Sequence, residues 1–198
     1  MTISEKYITG LKQAYYDHGG QENWDHFEKI RHGATKEELE ELKKAYPEIP
    51  DALIGLLEYV DGTYWREYGG EEIAFFLLGS DMEEYPYYLL SSKEMLADHG
   101  VKFYEDYVER IYEEVEVDEK ITNNPETLNW LHFSDCMNNG GTSQLFIDFS
   151  PSEKGKKGQI VRFLHDPDEL LVIADSFEDY LKKLMDKEYD FIQEDMLD

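Results

Sequence analysis

Four short apolar runs in the second half of the chain constrain the fold more than any other feature of the sequence. They are LNWLHFS at 128–134, SQLFIDFS at 143–150, GQIVRFLHD at 158–166 and LLVIAD at 170–175. Short runs of this composition, bounded by turn residues, are typical of strands. The turn residues between the first three runs are Asn138-Asn139-Gly140-Gly141 and Pro151-Ser152-Glu153-Lys154-Gly155. The spacing therefore predicts an antiparallel meander.

Helix starts are marked by a hydroxyl residue followed three positions later by a glutamate. This capping-box pattern occurs at Thr2 with Glu5, at Thr35 with Glu38 and at Ser91 with Glu94. In each pair the hydroxyl can accept a hydrogen bond from an unpaired amide of the first turn, and the carboxylate can reach back. Ser176 opens a fourth helix, whose apolar face is formed by Phe177, Tyr180, Leu181 and Leu184.

Between residues 36 and 62 the apolar spacing predicts two consecutive helices. Leu39, Leu42 and Tyr46 share one helical face, and Pro47 ends that helix. A second apolar face then follows the i, i+3, i+4, i+7 rule, at Leu53, Leu56, Leu57 and Val60. We expect this helix to end at Asp61-Gly62, with Gly62 as a left-handed cap.

The middle of the chain predicts two strands and then a long helix. EEIAFFLLGS at 71–80 and the short run 86–90 are interpreted as strands. A long helical stretch follows from Ser91, with one apolar face formed by Tyr104, Tyr107, Val108, Ile111 and Val115. Helices segregated from an antiparallel sheet define an α+β fold. We expect one domain over 1–198, with an antiparallel sheet of about four to six strands and helices packed on one side.

The charge of the chain excludes several kinds of partner. Acidic residues number 45 and basic residues 19, which gives a net charge of −26. Direct nucleic-acid binding depends on Lys and Arg contacts to phosphate, and anionic membranes repel such a chain, so we expect neither partner. The charge favours basic partners, although it could also serve solubility alone. Cys136 is the single cysteine, so no disulfide can form within the chain, which fits a reducing compartment. The sequence also shows no apolar run of 18 residues and no secretory leader, so we expect a cytoplasmic location.

Two groups of these segments resemble a known family. The first is ATKEELEELKKAYPEIPDALIGLLEYVDG, in which Ile49-Pro50 and Asp61-Gly62 stand for a Leu-Pro step and a terminal Asn-Gly. The second is the ordered series FIDFSP, GQIVRF, HD and IADSFEDYLKKL. In both groups the chain resembles the SUKH superfamily, or Smi/Knr family, over residues 33–80 and 128–186. Asp61 departs from the usual Asn.

The resemblance implies an organisation and a function. Residues 33–80 would supply N-terminal helices and a first strand, 81–127 an insertion-like helical segment, 128–186 the sheet and final helix, and 187–198 an acidic tail. Bacterial members of the family are mostly immunity proteins, which bind and neutralise a toxin domain of the nuclease or deaminase type. Fungal members are scaffolds or regulators of cell-wall assembly signalling, which is the alternative reading. The family is not known for enzymes.

The residues themselves offer little catalytic chemistry, so we expect no catalytic residue, metal or cofactor. The run His165 to Glu169 could ligate a metal in a hydrolase, but its proline favours a solvated turn. Gly140-Gly141-Thr142-Ser143 lacks the lysine and helix of a phosphate loop. Cys136 has His132 four positions before it, although a buried inert thiol is the simpler reading. Asp135 and Asp148 could pair as acid and base, yet turn and strand-edge roles explain them equally well.

Aromatic residues interleaved with acids are the strongest binding signal. Tyrosine and tryptophan are enriched in interface hot spots, and neighbouring carboxylates could pair with the lysines and arginines of a basic toxin domain. Two such clusters occur, at 59–71 and at 81–88. For the first a core role stays open, whereas for the second we favour an interface. The sequence does not indicate an oligomeric state. The predicted partner-binding residues are Asp61, Tyr64, Trp65, Glu67, Tyr68, Asp81, Glu83, Glu84, Tyr85, Tyr87 and Tyr88.

Overall fold

Seven α-helices and eight strands are found in the described part of the chain, residues 1–83, 85–137 and 142–197 of a computed structural model. The helices are α1 Ile3–Asp17, α2 Gln21–Ile30, α3 Lys36–Ala45, α4 Asp51–Tyr59, α5 Ser92–Ala97, α6 Glu105–Val108 and α7 Phe177–Asp186. The strands are β1 Arg66–Tyr68, β2 Glu71–Ile73, β3 Tyr87–Leu89, β4 Glu116–Val117, β5 Trp130–Cys136, β6 Ser143–Asp148, β7 Gln159–Leu164 and β8 Glu169–Ala174.

Six of these strands form one sheet in the order β3-β5-β6-β7-β8-β4. Neighbouring strands are antiparallel except β4, which runs parallel to β8. The meander predicted for β5 to β8 is therefore confirmed, as is the α+β class. β1 and β2 form a separate two-stranded hairpin. The turn predicted at 138–141 lies outside the described residues.

All three predicted capping boxes are present. In each, the hydroxyl of Thr2, Thr35 or Ser91 accepts from the amide three residues on, and the glutamate there accepts from the cap amide. At α7 the hydroxyl of Ser176 accepts from the amide of Asp179, without the reciprocal bond of a capping box. These local hydrogen bonds fix where the helices begin.

The sheet is covered on both faces. Leu131, Leu145 and Ile147 contribute to a large core cluster that also contains the apolar faces of α1, α2, α3, α4 and α7. Trp130 and Phe146 belong to a second cluster, which is completed by Val108 and Ile121. Successive side chains of a strand point to opposite faces, so the two clusters lie on opposite sides of the sheet. The longer helices therefore share one side, and the segment 103–121 covers the other.

The long helix predicted from Ser91 is wrong. α5 ends at Ala97, α6 has four residues, and most of 98–127 is irregular. Gly100, Tyr104 and Arg110 have positive φ values of 81°, 56° and 56°, which a helix cannot contain. The guanidinium of Arg110 then donates to four backbone carbonyls, those of Val108, Asp118, Ile121 and Thr122. These bonds hold the segment in a loop that packs on the sheet.

Two other boundaries differ from the predictions. The strand predicted at 71–80 is regular only at 71–73, and α4 ends at Tyr59, before Gly62. The acidic tail after α7 is also partly buried: Tyr189 and Phe191 fold back into the core, where the hydroxyl of Tyr189 donates to the carbonyl of Tyr7.

Candidate partner-binding surface

The two aromatic clusters of the sequence meet at one place in the structure. The ring centroids of Tyr64 and Tyr88 are 5.0 Å apart, and Tyr88 also contacts Phe76 at 5.2 Å. Tyr64 precedes the β1–β2 hairpin, and Tyr88 lies in the edge strand β3. The fold thus joins residues 24 positions apart into one aromatic patch. We call Tyr64, Trp65 and Glu67 the hairpin surface; the predicted residue Tyr88 is only 7% exposed and packs against Tyr64 beneath it.

Trp65 is the most exposed aromatic side chain of the described residues, at 60%. Its backbone has a φ of 45°, a left-handed conformation that is unfavourable for a bulky side chain. Such conformations persist where the surrounding structure imposes them, and they concentrate at functional sites. The exposed carboxylate of Glu67 lies two residues further on in β1. An exposed indole beside a carboxylate is suited to contact a partner that carries both apolar and basic groups.

Three of the predicted residues are fully buried and stabilise the base of this surface. Asp61 accepts from Arg66 Nη2 and from the amide of Ser92, each at 2.8 Å. The hydroxyl of Tyr68 donates to the carbonyl of Gly62, and that of Tyr87 is hydrogen-bonded to Ser143. Because these groups are 0% exposed, no partner can reach them in this conformation.

The buried tyrosines stay uncharged at neutral pH. Burial raises the pKa of Tyr87 to about 12 and raises the pKa of Tyr88 as well. Burial, reinforced by the charge of Asp61, raises the pKa of Tyr68. Each phenol therefore acts as a neutral hydrogen-bonding group, and the charge near the hairpin surface comes from carboxylates.

The remaining predicted residues contact other elements. Asp81 forms a two-pronged ion pair with Arg162 of β7, at 2.6 and 2.9 Å. Glu83 lies 3.8 Å from Lys187, which follows α7. Tyr85 is half-buried against the main core, and Glu84 lies outside the described residues. The contacts of Asp81 and Glu83 thus tie the chain before β3 to β7 and to the end of α7.

Sequence reasoning missed the groups that set the position of the hairpin. Thr63 receives the amide of Leu89 on its hydroxyl at 2.9 Å and donates its own amide to the carbonyl of Leu89 at 2.7 Å. Arg66, absent from the predicted set, neutralises Asp61. A short run of acids and tyrosines carries no signal for such long-range pairs.

The His, Cys and Asp side chains that were considered for catalysis or metal binding are engaged in the structure of the domain itself. His165 lies 2.5 Å from Asp168, and Cys136 is buried. His132 is also buried, between Asp98 and Asp135 at 2.9 Å each. Asp148 accepts from Gln159 and from the amide of Ser150. In residues 1–83, 85–137 and 142–197, no group of three or more His, Cys, Asp or Glu side chains is placed to hold a metal ion.

The chain is thus an α+β domain that exposes an aromatic and an acidic side chain, Trp65 and Glu67, beside its small hairpin. A sequence model of the SMI1/KNR4 family (SUKH-1) matches residues 33–183. The chain belongs to this family, and the resemblance noted in the sequence is thereby confirmed. A search of curated proteins found no match. Within the described residues, none of the helices has both the length and the apolar character needed to traverse a membrane.

Helices α1 and α2 both lie before the region that matches the family. They are nonetheless part of the main core: Phe27 of α2 stacks on Phe75 with ring centroids 3.9 Å apart, and Tyr15 of α1 stacks on the same ring at 4.7 Å. The N-terminal helices therefore pack against the chain just after the hairpin, and they stabilise its position.

Proposed function

We propose that this chain is a non-enzymatic protein-binding module that acts as an immunity protein. It would bind a cognate bacterial toxin domain, of the nuclease or deaminase type, and block it. Membership of the SMI1/KNR4 family supports a binding role, since the family generally comprises immunity and scaffold proteins. The net charge of −26 supports a basic partner, because nucleic-acid-cleaving domains present cationic surfaces to their substrates.

One observation carries the choice of surface, namely the exposed and unfavourable conformation of Trp65. An indole that is 60% exposed contributes little burial to the stability of the chain. Its backbone at φ 45° lowers that stability further. If this side chain inserts into a partner, the burial of its indole on binding compensates for its cost in the free protein. We therefore propose Trp65 as the anchor, with Tyr64 and Glu67 around it and Tyr88 supporting the ring of Tyr64.

The experiment takes the C-terminal domain encoded by the neighbouring gene as the candidate toxin and compares three chains: wild type, Trp65→Gly and Val101→Ala. Glycine tolerates φ 45°, so we expect Trp65→Gly to raise stability by up to about 1 kcal/mol. The same change should weaken toxin binding about 30-fold or more, because a tryptophan hot spot contributes about 2 kcal/mol or more. Val101→Ala is the control, since Val101 is 45% exposed but lies outside the hairpin surface.

Binding is measured by calorimetry, toxin activity on its nucleic-acid substrate, and stability by urea unfolding. Stoichiometric inhibition that is lost only in Trp65→Gly supports both the function and the surface. Equal affinity of all three chains would refute the surface. Absence of inhibition, together with binding of cell-wall signalling proteins, would support the scaffold alternative instead.

A further inference from the structure

A groove of about 760 Å³ lies at the β8–β4 end of the sheet, between the segment 104–115 and the turn 165–168. Its walls are aromatic. Tyr104 and Tyr107 are stacked with ring centroids 5.8 Å apart and planes 9° apart, and Tyr112 meets Tyr107 edge-on at 5.8 Å. The hydroxyl of Tyr107 donates to Asp168, which fixes the central ring against the turn. The groove is thus built from ordered side chains of two segments.

The rim of the groove is mainly acidic, and its one basic side chain, His165, is paired with Asp168. Glu105, Asp106, Glu114 and Asp166 line it, and none of them has an ion-pair partner in the described ranges. The stretch 105–119 holds eight acids and a single base, Arg110. The guanidinium of Arg110 is directed at backbone carbonyls on the other side of the loop, so its hydrogen bonds are used there. Negative charge is therefore left to face the groove.

The same chain contains a small example of the chemistry that such walls select. The guanidinium carbon of Arg31 lies 3.5 Å from the ring centroid of Tyr59, and Arg31 Nη2 is 3.6 Å from Glu28. A planar guanidinium can stack on an aromatic face while its edge donates to a carboxylate. The groove offers the same two groups, aromatic faces and carboxylates, and in the described residues no arginine of this chain lies between them.

We propose that this groove binds an arginine side chain of an extended, basic segment on a protein partner. The arginine stacks on the tyrosine wall and donates to Asp106 or Glu114. Ile111 and Tyr112, which are 54% and 42% exposed, provide apolar contact for the neighbouring residues of that segment. A second copy of this chain is a poor occupant, since both copies carry a charge of −26.

This inference deepens the proposed function, because it gives the basic partner a second contact that is separate from the hairpin surface. It is tested without a toxin, so its failure is distinguishable from failure of the proposed function. The ¹⁵N-labelled full chain is titrated by NMR with the peptide Gly-Arg-Gly-Arg-Gly at about 150 mM salt, where long-range attraction is screened. Peptides with citrulline or lysine in place of arginine are compared.

Four variants locate the site. Tyr112→Ala and Asp106→Asn remove one wall and one carboxylate, and each should weaken the arginine peptide about fivefold or more. Tyr112→Phe keeps the aromatic face and should retain binding. Glu41→Gln makes the same change of charge as Asp106→Asn at an exposed site on α3, and it should leave affinity unchanged.

We expect the arginine peptide to shift amide signals of residues 104–115 and 165–168, and the citrulline peptide to leave them unchanged. Three results would overturn the proposal. They are shifts spread over all acidic surfaces, equal weakening by Glu41→Gln and Asp106→Asn, and equal affinity for the arginine and lysine peptides. Unchanged backbone signals elsewhere in each variant show that the fold is retained.

Discussion

Replacing His132 with glutamine should remove a pH-dependent part of the stability of this protein. His132 lies in β5 at a bulge, where Phe133 is the extra residue between two registers of pairing with β6. The bulge brings His132 and Asp135 to the same face of the sheet, although residues three apart in a regular strand face opposite sides. The imidazole is 3% exposed, with Nδ1 2.9 Å from Asp98 and Nε2 2.9 Å from Asp135.

The magnitude follows from the pKa of this imidazole. Burial lowers the pKa of His132, but the hydrogen bonds and charges of Asp135 and Asp98 raise it more, to about 9. Gln144 extends the network by donating to Asp135, and Tyr104 donates to Gln144. The rings of Phe103 and Phe146 pack against the imidazole of His132, with centroids 5.3 and 4.9 Å away. Moving the pKa from 6.5 to about 9 on folding corresponds to about 3 kcal/mol of stability, at about 1.4 kcal/mol for each pH unit.

The sign of the effect is fixed by the raised pKa. Below pH 6.5 the imidazole is protonated in both the folded and unfolded chain, so its full contribution is present. As the pH rises towards 9, the unfolded chain loses the proton first, and the contribution falls. The difference in free energy of unfolding between wild type and His132→Gln should therefore shrink by about 3 kcal/mol from pH 6 to pH 9.5.

The assay is urea unfolding of both chains at half-unit steps of pH, followed by tryptophan fluorescence. His26→Gln is the matched control: His26 is also within 2.8 Å of a carboxylate, that of Glu71, but its side chain is 53% exposed. Its effect should be small at every pH, since exposed ion pairs contribute little. A constant difference between wild type and His132→Gln over the whole range would show that His132 is not protonated in the folded chain.

Three further predictions concern single groups. Arg110→Met leaves four carbonyls without their donor, and it should speed amide hydrogen exchange over 103–122 while leaving α1 and α4 protected; uniform protection would contradict this. Glu28→Gln should lose less stability than wild type when the pH falls from 4.5 to 2. Burial raises the pKa of Glu28, but hydrogen bonds from Lys12, Trp24 and Tyr59 outweigh it and lower that pKa to about 2. Acid unfolding measured by circular dichroism tests this difference. Gly62→Ala should lower Tm more than Gly19→Ala, as measured by thermal unfolding. Both glycines have φ above 80°, but of the two only Gly62 would place a Cβ within 2.7 Å of a backbone nitrogen, that of Ser91.

Helices and strands whose boundaries are set by residues close to one another in the sequence were predicted well. The boxes at Thr35 and Ser91 fix helix starts through hydrogen bonds that span three residues, so the necessary residues are adjacent in the sequence. The meander strands are short, and turn-forming residues bound them. Of the two turns predicted between the first three strands, the one at 151–155 lies in the described residues and can be compared, whereas 138–141 cannot.

The segment after Ser91 shows why a local pattern can mislead. Tyr104, Tyr107, Val108 and Ile111 have helical spacing, yet the left-handed conformations at Tyr104 and Arg110 interrupt it. Val108 is buried against the sheet, whereas Ile111 is 54% exposed. The loop is stabilised by contacts with β6, β7 and the carbonyls near residue 120, and these partners are distant in the sequence. Tertiary contacts thus override the periodic pattern.

The candidate surface could be only partly predicted, because tyrosine serves both cores and interfaces. Tyr87 and Tyr88 are neighbours in β3, and alternation would expose one of them if one face of the strand were open to solvent. Both are at least 93% buried, since β3 is covered on both faces. Trp65, by contrast, is exposed although tryptophan is usually among the more buried residues. Composition selected the region, and the fold decided which of its rings face the solvent.

The arrangement of the arginines connects the charge of the chain with its proposed role. The sequence contains four arginines, and the structure uses every one internally. Arg31 pairs with Glu28, Arg66 with Asp61, and Arg162 with Asp81 and Glu169, while Arg110 binds carbonyls. Several lysines form only exposed pairs, such as Lys157 with Glu48, which screen little. The cation best suited to two-pronged carboxylate recognition is therefore withdrawn from the surface, and many carboxylates remain there without it. Such a surface is complementary to a partner that supplies its own arginines, and association with that partner should slow as salt concentration rises.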